Sequence, residues 1–119
     1  MVLVDTSVWI SHLRTGNPAL ARLLENEEAA IHPFVIGELA CGNLRNRAEV
    51  LGLLQSLPMS IEISHEEAIE FISGHQLMGK GLGYIDIRLL ASAVLTGIPL
   101  WTLDKKLKAV SVQLQIAYR

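Results

Sequence analysis

The chain opens with an apolar triplet, Val2, Leu3 and Val4, that runs directly into Asp5. A short continuous apolar run reads as a strand buried on both faces, the kind found in parallel sheets. VWISHL follows as a helix, with Thr6 or Ser7 as its expected cap. NPALARLLEN predicts a second helix, with Asn17 as cap and Pro18 at its first position. AAIHP is a short strand. FVIGELACGNL is an apolar helix that carries one glutamate. RAEVLGLLQSL is another helix, with Leu51, Leu54 and Leu57 at helical spacing and Pro58 to stop it. MSIEI alternates and predicts a strand. Ser64 and Glu67 form an S-x-x-E capping box ahead of the next helix. After the GLG punctuation, YIDIRLLASAVLTG predicts a helix ending at Gly97. IPLWTLD predicts a strand, KKLKAV a short helix and VQLQI a final edge strand.

Strands that alternate with helices predict an α/β fold with a mostly parallel sheet. No repeat, low-complexity segment or linker interrupts the pattern, so one domain over residues 1–119 is expected. In such sheets ligands bind outside the C-terminal ends of the strands. Asp5 and Asp104 each directly follow an apolar strand, which predicts that both lie at that edge.

Composition narrows the class. Half of the residues are hydrophobic and 18% are charged, the reverse of a disordered tail. No apolar run approaches the roughly 20 residues of a membrane helix, and the N-terminus lacks a signal-peptide pattern. Cys41 is the single cysteine, which rules out an internal disulfide. A cytoplasmic protein is expected, with Cys41 packed on its apolar helix. The four histidines lack metal-ligand spacing; SHEEAIE has Ile69 where HExxH needs its second histidine. MGKGLG lacks the P-loop pattern and reads as a flexible connection ahead of Asp86. Trp9 and Trp101 read as core, and six aromatic residues are too few for stacking-driven binding of single strands.

Eight of the twelve acids stand among polar neighbours. Asp5, Glu38, Asp86 and Asp104 do not: each is set among residues that favour burial, where a lone carboxylate is costly. Singly, Asp5 and Asp104 could cap helices, and Asp86 could sit in a first helical turn favoured by the macrodipole. Glu38 falls mid-helix, where no cap is needed, although Arg45 or Arg47 could pair with it. Together, four converging carboxylates require a positive partner. Mg²⁺ or Mn²⁺ prefers such oxygen ligands. That arrangement supports metal-assisted phosphodiester hydrolysis, with no side-chain nucleophile. The formal net charge of −2 argues against a general nucleic-acid binder, but without these four acids ten basic residues face eight acidic ones. Lys80, Arg88, Lys105, Lys106 and Lys108 lie near Asp86 or Asp104 in sequence, and could line a phosphate path or simply form a solvated face.

VDTSVWI at the start, GELACG in the middle, and D-x-x-x-x-A-S-A followed by LWTLD resemble, in this order, the PIN-domain ribonucleases, and among them the VapC-type toxins of toxin–antitoxin pairs. The resemblance spans almost the whole chain. It implies a three-layer α/β/α sandwich on a parallel sheet of about five strands. It implies a Mg²⁺- or Mn²⁺-dependent endoribonuclease whose acidic quartet falls on Asp5, Glu38, Asp86 and Asp104. Thr6 or Ser7 matches the hydroxyl that follows the first aspartate, and Thr102 matches the hydroxyl of the T-x-D element. The implied partners are an RNA substrate such as tRNA or ribosomal RNA, a small antitoxin protein and a second copy of the chain. Where many relatives carry an acid or polar residue two positions after the last aspartate, this chain has Lys106.

Two other readings compete. A phosphatase-type hydrolase with Asp5 as covalent nucleophile would want D-x-D, and Ser7 holds the second position. A non-catalytic binding module would use the four acids as caps and ion pairs, and would bind neither Mg²⁺ nor Mn²⁺.

Overall fold

A computed structural model describes all 119 residues. Three parallel strands form the sheet, in the order β2-β1-β3: β1 is Val2–Val4, β2 is Ala29–Ala30 and β3 is Leu100–Trp101. In register, Leu3 stands between Ala30 and Leu100. Single parallel bridges extend the sheet at both edges, Met59 to Ile31 and Ala117 to Leu100. The expected fourth and fifth strands are thus reduced to one residue each.

The physical reason differs at the two edges. Helix α7, Lys105–Gln113, takes in Val112 and Gln113, the first two residues of the segment expected as the last strand, and the chain turns at Leu114 and Gln115. Leu107, Val110 and Leu114 recur at helical spacing and face the core, and that period prevails over the local alternation. At the other edge, Ser60 and Ile63 are buried while Met59 and Ile61 are exposed, so the alternation of MSIEI never meets a flat sheet face.

The remaining helices are α1 (Thr6–Thr15), α2 (Pro18–Glu25), α3 (Pro33–Ala40), α4 (Arg47–Gln55), α5 (His65–Gly74) and α6 (Tyr84–Thr96). Local signals explain most of their boundaries. The Asn17 side chain accepts from Leu20 N–H at 3.1 Å, and the Ser64–Glu67 capping box is complete. Gly97 ends α6 at φ +71°, a conformation that costs a glycine little. His32 caps α3: its Nδ1 accepts from Phe34 N–H, which leaves the ring proton on Nε2. Burial holds that ring below its usual pKa and keeps it neutral.

Right-handed crossovers fix the layers. From β1 to β2 to Met59 the chain steps in one direction, with α1 to α4 on one face. It then returns across the sheet to β3 and Ala117, which sets α5 to α7 on the opposite face. The direction reverses between β1 and β3, and at such a switch point the strand ends open a crevice for ligands. Leu3 and Leu100 are fully buried beneath it, in one core with Leu89, Leu90 and Leu107. Leu3→Ala is expected to cost about 2–5 kcal/mol, read by chemical unfolding, because the sheet centre cannot collapse onto the cavity.

Candidate active site

Asp5 leaves β1 as the N-cap residue of α1, yet its side chain makes no capping bond. Its Oδ2 turns toward the strand ends instead. It accepts from Ser7 Oγ at 2.8 Å and from Thr102 Oγ1 at 2.7 Å. Both hydroxyls are themselves positioned by backbone: Leu103 N–H donates to Ser7 Oγ at 3.0 Å and Asp104 N–H to Thr102 Oγ1 at 3.0 Å. Each hydroxyl has one proton, and both protons are directed to Asp5. The 3.3 Å approach of Ser7 Oγ to Thr102 Oγ1 is therefore a contact enforced by their common acceptor. Asp5 is buried, and one of its oxygens, Oδ2, accepts both bonds.

Asp104 caps α7, its Oδ1 accepting from Leu107 N–H at 2.9 Å. Asp86 is the third residue of α6, and its Oδ2 accepts from Gly83 N–H at 2.9 Å. Glu38, exposed on α3, accepts at Oε1 from Thr6 Oγ1 at 2.6 Å. Each of the four carboxylates therefore uses one oxygen for an internal bond. The other oxygen (Oδ1 of Asp5, Oε2 of Glu38, Oδ1 of Asp86, Oδ2 of Asp104) has no partner in the protein. The N-termini of α1, α6 and α7 lie at Asp5, Asp86 and Asp104, and their dipoles offset part of the crowded negative charge.

The crowding registers on Asp86. Burial pushes its carboxyl above the ordinary aspartate value. The charges of Asp5, Asp104 and Glu38 push it further, and the Gly83 N–H opposes them. No lysine or arginine acts on it. The four acids thus act on one another electrostatically, although no three of the chain's acids, histidines or cysteines are grouped closely enough to hold a metal ion as they stand. The chemistry of the four side chains suits a hard divalent cation: oxygen donors only, each carboxyl anchored through one oxygen with the other left open.

Several sequence expectations change here. Thr6 and Ser7 lie in the first turn of α1 and cap nothing; they divide their hydroxyls between Glu38 and Asp5. Ser7, fixed as a donor to Asp5, has no proton-transfer role left for a phosphatase-type reaction. Arg88 is withdrawn from the phosphate path. It is buried, donates to the Ile63 carbonyl at 2.6 Å and Tyr84 Oη at 2.9 Å, and lies over the Phe34 ring. Two residues along a helix is a rotation of about 200°, which turns Arg88 away from the face that bears Asp86. Cys41 is exposed as the C-cap of α3 rather than packed. Lys80, Lys105 and Lys106 remain exposed. Sequence reasoning missed Gly83, whose N–H anchors Asp86. The signal was present, since G-Y-I-D places an acid three residues after a non-helical start.

A PIN domain family model matches residues 2–113. Over 118 residues the chain is 45% identical to proteins named Ribonuclease VapC32 from two strains of Mycobacterium tuberculosis, covering 98% of this chain and 95% of the relative. Among solved structures, PAE2754 from Pyrobaculum aerophilum superposes with a TM-score of 0.66 at 18% identity, over 96% of this chain and 94% of that one. FitAcB from Neisseria gonorrhoeae gives a TM-score of 0.66 at 21% identity, over 98% of this chain and 95% of that one. These two structures speak for the fold alone. No helix is long and apolar enough to cross a membrane. By its nearly full-length family match and the relatives that share almost half of its residues, the chain belongs to the PIN domain family, in the VapC group.

Proposed function

We propose that the protein is a metal-dependent endoribonuclease, the toxin of a toxin–antitoxin pair, with Asp5, Glu38, Asp86 and Asp104 holding Mg²⁺ or Mn²⁺ directly or through water. The observation that carries this reading is the division of labour within the carboxylates, each with one oxygen anchored and one left for a ligand. The name of the 45% identical relatives supports RNA as the substrate, with tRNA or ribosomal RNA as its expected source. A bound ion would supply the positive charge that holds the scissile phosphate and activates water for hydrolysis.

The chain's own residues set that chemistry up. The end of β1 fixes the backbone of Asp5, while Ser7 and Thr102 fix its carboxylate. Thr102 also joins Asp5 to the Asp104 N–H, so the acids from β1 and β3 move as a unit. Thr6 aims Glu38. Lys80 and Lys105 are exposed, and their closeness in sequence to Asp86 and Asp104 supports a role in receiving RNA phosphates. A groove between α1 and α4, with exposed Ile10, Leu13 and Leu53 and the cations Arg14 and Arg45 at its side, supports an antitoxin as a protein partner. The exposed Ile69 and Leu95 on the α5–α6 face support a homodimer. The expected location is the cytoplasm.

The direct test is incubation of purified, antitoxin-free protein with cellular RNA in Mg²⁺ or Mn²⁺. Discrete cuts that vanish in EDTA are expected; intact RNA with the metal-loaded protein would remove the nuclease reading. Thr102→Val gives a finer result. It keeps the shape, but Asp5 loses a donor and the Asp104 N–H loses its acceptor. Loss of such an outer partner lowers metal affinity or activity about 10–100-fold. Titrating cleavage against metal concentration should move the half-saturation point upward by that factor.

A further inference from the structure

The segment 75–83 connects α5 to α6, and two of its glycines, Gly79 and Gly81, hold φ of +73° and +77°. They differ in their surroundings. A Cβ on Gly79 would meet nothing within 4 Å. A Cβ on Gly81 would lie 2.9 Å from Lys106 Cδ, 3.0 Å from its Nζ and 3.3 Å from its Cε. The outer half of Lys106 is therefore laid along the bare face of Gly81. Lys106 belongs to the first turn of α7, two residues after Asp104. Gly81 stands two residues before Gly83, the anchor of Asp86. The lysine thus spans from the helix bearing one acid to the loop that leads to another. Its ammonium rests on a glycine and not on a carboxylate, so the cation is positioned without being neutralised.

We propose that Lys106 binds the RNA phosphate next to the scissile one, and that Gly81 is the seat that aims it, so that residues 81 and 106 form one substrate-positioning unit. The proposal rests on the ribonuclease reading. A hard metal site takes the scissile phosphate; the flanking phosphate needs a separate cation at the rim, and a lysine supplies a point charge suited to it. Restraining the stem reduces the freedom lost on binding. Lys106 is a positioning residue: it acts on substrate binding, and the acids keep their roles without it.

Steady-state cleavage of a short RNA by wild type, Lys106→Ala, Lys106→Arg, Gly81→Ala and Gly79→Ala separates the possibilities. Lys106→Ala is expected to raise KM about tenfold with kcat within about twofold, and to lower the slope of log affinity against log salt by about 0.7, one single-strand phosphate contact. Lys106→Arg retains the charge and most of the affinity. Gly81→Ala keeps the lysine but displaces it, and should reproduce the KM increase. Gly79→Ala carries the same backbone strain with open space around it, and should stay near wild type. Wild-type KM and salt slope in both Lys106→Ala and Gly81→Ala would overturn the proposal while wild-type cleavage leaves the nuclease reading intact. An equal effect of Gly79→Ala and Gly81→Ala, with none from Lys106→Ala, would also overturn it and assign the effect to loop strain. A wild-type protein that cuts no RNA would overturn both.

Discussion

Asp5→Asn is expected to lower metal-dependent RNA cleavage at least about 100-fold while the protein remains folded. The asparagine oxygen can still accept from Ser7 and Thr102, whose hydroxyls are aimed by the Leu103 and Asp104 N–H groups. The amide NH₂ then occupies the position of Oδ1, the oxygen left without a partner. A neutral donor replaces an anionic acceptor at that one atom. Loss of outer partners alone costs about 10–100-fold at metal sites, so removal of the ligand they support should cost at least the upper figure. The check is cleavage rate and metal affinity on the same preparation, with circular dichroism to establish the fold. Cleavage at the wild-type rate by a folded Asp5→Asn protein would exclude Asp5 from the reaction. Weak cleavage restored by excess Mn²⁺ would instead locate the defect in metal binding.

How far the sequence revealed this site depends on the distance over which each signal acts. Asp5 and Asp104 were legible because an acid at the end of an apolar strand is a local pattern, and a parallel sheet brings such ends together. Glu38 and Asp86 stood out by their apolar neighbours. The hydroxyls were half legible. Thr6 and Ser7 have the residue types of helix caps, but their partners are Glu38, 32 residues away, and an Asp5 carboxylate turned outward from the helix. Arg88 misled for a related reason: it is near Asp86 in sequence, but helical rotation separates the two side chains in space. The edge strands failed because short alternating segments carry both periods. VQLQI alternates locally, yet Leu107, Val110 and Leu114 form a longer helical repeat, and the longer repeat buries more apolar surface. The contact of Lys106 with Gly81 joins residues far apart in the chain and left no local trace at all.

Asp86→Asn is expected to separate stability from activity, raising the melting temperature of the metal-free protein while lowering cleavage at least about 100-fold. The sign follows from the direction of the shift. Burial, and then the charges of Asp5, Asp104 and Glu38, raise the Asp86 carboxyl above 3.8, against the lowering effect of the Gly83 N–H. A carboxyl raised in this way binds its proton more tightly in the folded chain than in the unfolded one. Metal-free stability from this group is therefore fully present below pH 3.8 and lost as pH rises through the higher folded value. At neutral pH the ionised Asp86 opposes folding. The asparagine side chain removes that charge and still offers an amide oxygen to the Gly83 N–H. Melting curves in EDTA should then place the variant above wild type at neutral pH, with the gap closing in acid. Metal reverses the order, because an ion bound at about 100 times its Kd stabilises the folded wild type by about 2.7 kcal/mol, and the variant loses part of that gain. A variant less stable than wild type in EDTA at neutral pH would show that Asp86 serves the fold through its cap on α6, and that crowding among the four carboxylates does not govern its behaviour. The predicted crossing of the two melting temperatures as metal is added is what a carboxylate kept for a cation should show.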